Sequence, residues 1–481
     1  PAGASMLILF SIITAFIGAL TYWFSEWRAL AIIILFLIIN YVTSLGWFSH
    51  PNQAYGLDYD GYRPTYSYDN LQAVCFSERV AADRLATERI LQRWERRVAP
   101  GRAKPKMVLL CASGGGLKAA VWSTHVLQTI DRRTQGALFD QTVLMTGASG
   151  GMLGMAYLRE LYRQQQQGDT IDYHDPYYRD RISLDLLNSI AFTIVSTDLF
   201  LPWTHFTYAG QTYFKDRGYI FEEQLNENTE GILDHPLSAY RQDEAEGRIP
   251  LLFLTPSIVN DGRQLVVSPQ GVSYMMIPPA GLNQRGSFEP DAVDFGWLFG
   301  EQQADSLRFL SALRMSATYP YVLPNVHLPS SPEIEVVDAG FRDNYGILAA
   351  TRFLQVFKDW IEENTSGVIL IQISSSEKIE RIEANPPQGL FSSFFSPLGI
   401  AGKVFTVQEF EHDASLSFIY DLLGPDQVDL VRFIYQPRDK NRLEASVSFH
   451  ITEQEEEDVI QALELPENQS GLRRLEQLLA R

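Results

Sequence analysis

The stretch VLMTGASGGMLGMAYLR, residues 143–159, reads as a strand over Val143 to Met145 that turns sharply through Gly147-Ala148-Ser149-Gly150-Gly151 and enters a helix. In a G-x-S-x-G turn the serine occupies a strained bend, so small residues must flank it, and its hydroxyl stands above the carboxyl end of a sheet. The helix that follows aims unpaired N–H groups at the same point and favours negative charge there. Glycine and serine are common enough that such a pentapeptide arises by chance about once in seven chains of this length. The plain alternative is a Gly-rich loop packing a helix on a strand, so the surroundings of the motif must decide between the two.

Two other stretches have the same strand-loop-helix form. Lys106 to Ala112 (KMVLLCA) is a short continuous apolar run, as expected of a strand covered on both faces. It empties into Ser113-Gly114-Gly115-Gly116-Leu117-Lys118, followed by a helical pattern through Arg133. Three consecutive glycines leave backbone N–H groups uncovered and open to an anion. The spacing is neither that of a phosphate-binding P-loop nor that of a dinucleotide fingerprint. Further on, Glu335-Val336-Val337 is a strand stopping at Asp338-Ala339-Gly340, with Asn344-Tyr345-Gly346 opening another helix. Asp338 thus sits at a strand end, where open α/β sheets place their sites, although a lone Asp there is commonly a turn residue or an N-cap.

The whole chain frames these motifs. Its 481 residues are 46% hydrophobic and 20% charged, an ordinary globular composition. A formal charge of −19 and the lack of a basic stripe argue against a nucleic-acid partner and against charge-driven adsorption to anionic lipid. Cys75 and Cys111 are too few for a disulfide framework, and free thiols suit a cytoplasmic domain.

Leu7 to Trp23 and Ala29 to Leu45 are apolar runs separated by Phe24-Ser25-Glu26-Trp27-Arg28, each long enough to span a hydrocarbon core. The pair predicts an N-terminal transmembrane helical hairpin, with Tyr22, Trp23 and Trp27 at one interface and Tyr41, Trp47 and Phe48 near the other. Flanking charge is too sparse to orient it, and the opening Pro1 leaves room for further spans upstream.

His50 to Asn70 reads as a connecting segment. Ser77 caps a helix to about Arg97 with Val80, Leu85, Ile90, Leu91 and Trp94 as its apolar stripe. Leu186 to Gly210 is apolar and aromatic, suited to burial or to receiving an acyl chain. Leu251 to Pro256, Gln264 to Ser268 and Val368 to Ser374 read as strands, Ser375 to Gly402 as a loop, and Thr452 with Glu455 as a capping box. The division expected is hairpin over 1–48, linker and amphipathic helix over 49–104, and one α/β three-layer catalytic domain with a mainly parallel central sheet over 105–481.

Taken together, Ser113-Gly114-Gly115-Gly116 with Lys118, Gly147-Ala148-Ser149-Gly150-Gly151, Asp338-Ala339-Gly340 and Ser316-Ala317-Thr318-Tyr319-Pro320 resemble the patatin-like phospholipases and their cytosolic phospholipase A relatives. The likeness covers roughly residues 106–374 and suggests a membrane-anchored bacterial-type member. It implies a patatin-like fold and a serine lipid acyl hydrolase of phospholipase A type, working through a Ser-Asp dyad without cofactor or metal. Its catalytic domain would be held in the cytoplasm at the inner membrane, acting on bilayer phospholipid or another acyl lipid. By the same resemblance Ser149 is the nucleophile and Asp338 the base. Gly115 and Gly116 supply the oxyanion hole, and Lys118 lies near the substrate phosphate or orients the loop. Here the loop opens with Ser113 where many members have Asp, Lys118 stands where Arg is usual, and Asp-Ala-Gly replaces the commoner Asp-Gly-Gly. Lysine offers a point charge in place of a bidentate fork.

Two other readings stand beside this one. A Ser-His-Asp esterase, thioesterase or acyltransferase would draw its base from His125, His174, His205, His235, His327, His412 or His450. A membrane-anchored scaffold with a degenerate site would use none of them. The side chain within hydrogen-bonding reach of the Ser149 hydroxyl separates the three.

Overall fold

The computed structural model describes residues 2–44, 52–101, 103–201, 203–276, 289–320, 322–376, 404–437 and 445–480. Trp47, Phe48 and residues 377–402 of the expected loop lie outside the described residues. In chain order the strands are Asn52–Gln53 (β1), Met107–Ala112 (β2), Thr142–Gly147 (β3), His205–Tyr208 (β4), Gln211–Phe214 (β5), Leu251–Leu254 (β6), Ser257–Ile258 (β7), Gln264–Val266 (β8), Ala292–Asp294 (β9), Val326–Leu328 (β10), Ile334–Val337 (β11), Val368–Ser374 (β12) and Val428–Ile434 (β13).

Five of them form a sheet in the order β13-β12-β2-β3-β6, parallel at every pair. β2, β3, β6 and β12 are buried from end to end, which is why their sequences are near-continuous apolar runs rather than alternating ones. Alternate residues serve opposite faces. Val108, Leu110, Met145 and Ile371 pack with Leu117, Val121, Leu153 and Met155 from the helices Gly116–Arg133 and Ser149–Gln166. Leu109, Cys111, Leu144 and Leu370 pack with Ile347, Phe353, Leu416 and Ile419 from the helices Ile347–Val356 and Val404–Leu423. The α/β architecture with a parallel sheet between helical layers is therefore the one the sequence predicts.

A second, mixed sheet, β1-β10-β11-β7-β8-β9, departs from the sequence reading. It joins the first where Leu254 and Val267 exchange backbone hydrogen bonds of 3.1 and 2.8 Å. Within the segment expected to connect, Asn52–Gln53 form its edge strand, and the residues that follow bury Ala54, Tyr55 and Leu57. The Tyr55 ring meets Phe206 edge-on at 4.7 Å and lies beneath the Arg314 guanidinium at 5.0 Å. Aromatic and cation–π packing thus orders a segment whose Gly, Pro and Asp content resembles a linker. This sheet positions the site, because β11 pairs antiparallel with β7 and ends one residue before Asp338.

The N-terminal runs form helices Ala2–Phe24 and Arg28–Ser44, which meet at a 3-10 turn, Ser25–Trp27, with Ser25 at φ +36°. At about 1.5 Å per residue they are roughly 35 and 26 Å long, against a hydrocarbon core of about 30 Å. Residues 2–42 are long and apolar enough to cross a membrane, and their large side chains are exposed rather than used as core. The less exposed positions Ala2, Ser5, Met6 and Leu9 make one stripe at helical spacing, and the first helix packs on helix Leu187–Val195. The Ala2 N–H also donates to the Asn188 side chain. Elsewhere helix Glu78–Val98 buries Ile90, Leu91 and Trp94, and Thr452 and Glu455 complete their capping box.

The helices Gly116–Arg133 and Ser149–Gln166 cross at Gly154, where an added Cβ would lie 2.4 Å from Ser123 Oγ and 2.5 Å from the Ala120 carbonyl. Gly154→Ala should cost about 1–3 kcal/mol through overpacking, read as a lower urea midpoint. Gly300→Ala, with no atom within 4 Å of the new Cβ, should stay within about 0.5 kcal/mol. Equal midpoints for the two variants would contradict a tight crossing.

Candidate active site

Ser149 is the first residue of its helix and holds φ at +49°, a left-handed conformation rare for any residue but glycine and asparagine. Its neighbours are small for a geometric reason. A Cβ on Gly147 would fall 2.3 Å from the Ala112 carbonyl oxygen, and one on Gly150 would fall 1.8 Å from that of Gly116. The elbow and the glycine loop thus meet backbone to backbone, and the Ser149 side chain, 7% exposed, faces into the space between them.

The loop Ser113–Gly116 is held from several sides. Gly114 donates its N–H to Asn344, at 3.1 Å to Oδ1 and 3.2 Å to the carbonyl. Ser375 donates its N–H to Ser113 Oγ at 2.8 Å and its hydroxyl to the Gly114 carbonyl. Leu117 donates to the Ser448 carbonyl at 2.8 Å. Gly115 and Gly116 lie at φ +143° and +63°, and their N–H groups donate to no acceptor among the described residues. Two free donors in a loop fixed on both flanks are what an oxyanion requires.

Asp338 follows β11 and is 3% exposed. The stretch Ser316-Ala317-Thr318 cradles its backbone, since Asp338 donates its N–H to the Thr318 carbonyl at 3.1 Å and Ala339 to that of Ser316 at 3.2 Å. Asp338 Oδ1 accepts the Gly340 N–H at 2.8 Å. The Ser149 hydroxyl acts on the same carboxyl group and lowers its pKa. Oδ2 is buried and makes no hydrogen bond of ordinary length and angle. The serine–aspartate contact is therefore a loose one, of the kind that tightens when a substrate is bound. Burial dominates the titration and pushes the carboxyl up to about 6 against the pull of the Gly340 N–H and the Ser149 hydroxyl.

Ser149, Asp338, Gly114, Gly115, Gly116 and Lys118 all line one cavity of about 520 Å³. The structure thus brings together every residue that the motifs single out. Lys118, 2% exposed, places Nζ 5.4 Å over the Tyr435 ring. Most of the apolar wall comes from Leu187, Tyr319, Val322, Val447 and Phe449. Of these only Tyr319 belongs to a motif visible in the sequence. Asn344 also lines the cavity. Its place six residues after Asp338, in the stretch expected to open a helix, is the signal that points to it; in the structure it ends the short helix Gly340–Asp343, and the next begins at Ile347. Among the described residues of the aromatic stretch none from 201 to 206 lines the cavity, and Phe206 turns inward onto Tyr55, Tyr213 and Tyr219.

The histidines are occupied elsewhere. His174 meets Asp131 at 2.8 Å, His327 meets Glu333 at 2.8 Å, and His450 meets Asp185 at 2.6 Å. His412 lies 3.3 Å from Asp343 and His235 lies 3.8 Å from Glu160. His205 stacks on Phe214, while burial and two nearby arginines push His125 down to about 4. Among the described residues no histidine lines the cavity, and no cluster of three or more His, Cys, Asp or Glu is placed to hold a metal.

No protein-family profile and no curated sequence matches the chain. Among solved structures it is similar to human GIVD cytosolic phospholipase A2 in complex with methyl gamma-linolenyl fluorophosphonate, at 15% identity and a TM-score of 0.42 over 84% of this chain and 64% of that one. The chain thus spans a little under two thirds of that protein's length. A second structure of the human enzyme matches at 12% identity and TM-score 0.42, over 87% of this chain and 68% of that one. VipD from Legionella pneumophila matches at 10% identity and TM-score 0.26, over 78% and 67%.

A carboxyl whose folded pKa is raised holds its proton more tightly folded than unfolded, so stability falls as pH rises from about 4 to about 6 and the penalty is complete above that. Two units correspond to about 3 kcal/mol at most. Asp338→Asn should therefore raise the melting temperature at pH 8 and leave it nearly unchanged at pH 4. An equal shift at both values would show that the carboxylate carries no ionisation penalty.

Proposed function

We propose that this chain is a membrane-anchored serine hydrolase that cleaves the acyl esters of lipids, with Ser149 as nucleophile and Asp338 as base. One observation carries the reading. A serine on a left-handed elbow faces a buried carboxyl beside two unengaged N–H groups, inside a cavity with an apolar wall.

Asp338 accepts the hydroxyl proton as Ser149 Oγ bonds to the acyl carbonyl carbon, and the carbonyl oxygen becomes an oxyanion held by the Gly115 and Gly116 N–H groups. Collapse breaks the ester bond, and the proton on Asp338 passes to the leaving alcohol. Water then attacks the acyl-serine, Asp338 takes a proton from it, and collapse returns that proton to Ser149 Oγ with release of the carboxylic acid. Burial suits Asp338 to this work, because a carboxyl near 6 is a better base than one in the usual range and is still ionised at neutral pH. One oxyanion donor is worth about 2.7–4 kcal/mol of barrier.

The apolar wall suits an acyl chain, and the buried ammonium of Lys118 suits a phosphate-bearing head group, so a phospholipid is the substrate class proposed. The helices within residues 1–48 form the anchor, residues 49–104 lead from it and wrap onto the domain, and residues 105–481 carry the chemistry. The free, buried Cys75 and Cys111 are in keeping with a cytoplasmic face of the inner membrane.

A fluorophosphonate probe should label wild-type protein at Ser149, and labelling that persists in Ser149→Ala would move the nucleophile elsewhere. Asp338→Asn should lower turnover at least a hundredfold, about 3 kcal/mol of barrier, and activity within tenfold of wild type would remove Asp338 as base. The base works ionised, so kcat/KM should fall as pH drops through about 6. An acid limb at 4 would mean that the carboxyl is solvated.

A further inference from the structure

We propose that helix Leu187–Val195 lies in the lipid–water interface beside the anchor, and that acyl chains pass along it from the same leaflet into the cavity. What the cavity receives rests on the hydrolase reading above; the docking of the surface to lipid does not.

Three helices pack on this one, Ala2–Phe24, Thr197–Phe200 and Arg217–Asn228. The first apolar helix packs on it through the stripe Ala2, Ser5, Met6 and Leu9, so whatever environment holds the anchor begins at this surface. The sequence Leu-Asn-Ser-Ile-Ala-Phe-Thr-Ile-Val carries no charge. The short helix Thr197–Phe200 packs against it. Phe192, Leu201 and Trp203 in this region are 60, 54 and 57% exposed. Large apolar and aromatic side chains beside a membrane-length helix have the composition of an interfacial belt. With a formal charge of −19 the chain gains nothing from anionic head groups, so apolar contact must hold this face to lipid.

The other end of the same helix opens on the site. Leu187 lines the cavity, and the N–H groups of Leu186 and Leu187 both donate to the Phe449 carbonyl at 3.0 Å. Phe449 and the exposed Val447 line the cavity as well. An apolar path therefore runs from the anchor over helix Leu187–Val195 to Leu187, Val447 and Phe449 without crossing a charged side chain of that helix. A bilayer is the occupant that fits, because the anchor contacting this face has the length and apolarity of a membrane span.

The test uses full-length Ser149→Ala protein in phosphatidylcholine–phosphatidylglycerol nanodiscs. Cys75 and Cys111 are buried, so an environment-sensitive fluorophore can be confined to Phe192→Cys or, as reference, to Asp426→Cys. Asp426 precedes β13 at the edge of the parallel sheet opposite the site. Lipids carrying a nitroxide on the acyl chain should lower emission at position 192 by roughly half, as for a group a few ångströms below the head groups, and leave position 426 unchanged. No quenching at 192, or equal quenching at both, would overturn the docking. A phospholipid with a diazirine on its acyl chain should cross-link to residues 187–195 and 447–449. Cross-links confined to residues 2–44 would overturn the path. Neither readout depends on turnover, so loss of probe labelling at Ser149 would sink the hydrolase and leave this surface standing, and the reverse holds equally.

Discussion

Backbone contact between the elbow helix and the glycine loop, with Gly150 against the Gly116 carbonyl and Gly147 against that of Ala112, fixes where every other part of the site must lie. Because two main chains touch, the first N–H groups of helix Ser149–Gln166 and the free donors of Gly115 and Gly116 are brought to one place with no side chain between them. The loop is then pinned on both flanks, by Asn344 and Ser375 on one and by Ser448 on the other. Its donors are thus arranged before any charge develops, which spares the reorganisation that water would require.

Asp338 is held by a separate network. The carbonyls of Ser316 and Thr318, which hold the backbone of Ala339 and Asp338, lie at and just beyond the end of helix Phe309–Ser316, and the buried Arg314 fixes that helix by donating to Glu222 Oε1 at 2.7 Å and to the Gln53 carbonyl at 2.6 Å. Fully buried pairs of this kind are costly to break from one side, since the remaining charge is left uncompensated. The edge strand β1 is thereby tied to the carboxylate through Arg314, although Asn52–Gln53 lies nearly 300 residues away in sequence. Ser149 and Asp338 follow strands of different sheets, and the bridge between Leu254 and Val267 joins those sheets.

What sequence makes legible here is what short-range physics dictates. β2, β3 and β12 announce themselves because burial on both faces demands unbroken apolar runs, and Ser149 and the glycines follow because each sits where such a strand ends. The second sheet announces itself only in part: β8 and β11 fall in stretches that read as strands, whereas β1, β7, β9 and β10, of two or three residues, are too short for a period to show. Asn344 is visible only in hindsight, as the residue that ends the short helix after Asp338. The apolar wall shows itself only in part, since Tyr319 lies in a visible motif and Leu187 in the stretch suited to receiving an acyl chain, whereas Val322, Val447 and Phe449 are joined to them only by folding. The stretch around Phe206 illustrates the opposite failure, where composition suited to a lipid-facing surface is used in part to pack Tyr55.

The glycine seam also bears on how this chain can change over generations. At Gly116, Gly147, Gly150 and Gly151 the atom that a first carbon of any side chain would strike is a main-chain oxygen, between 1.8 and 2.3 Å away. Backbone cannot be exchanged for something smaller, so no second substitution elsewhere restores the fit. Wall residues such as Val322 and Val447 are under no such restraint, because a neighbour can shrink or grow to compensate. Divergence is therefore channelled: the apolar wall is free to drift towards cavities of new shape while the seam stands still, and a descendant that differs from this chain almost everywhere else would still carry those four glycines.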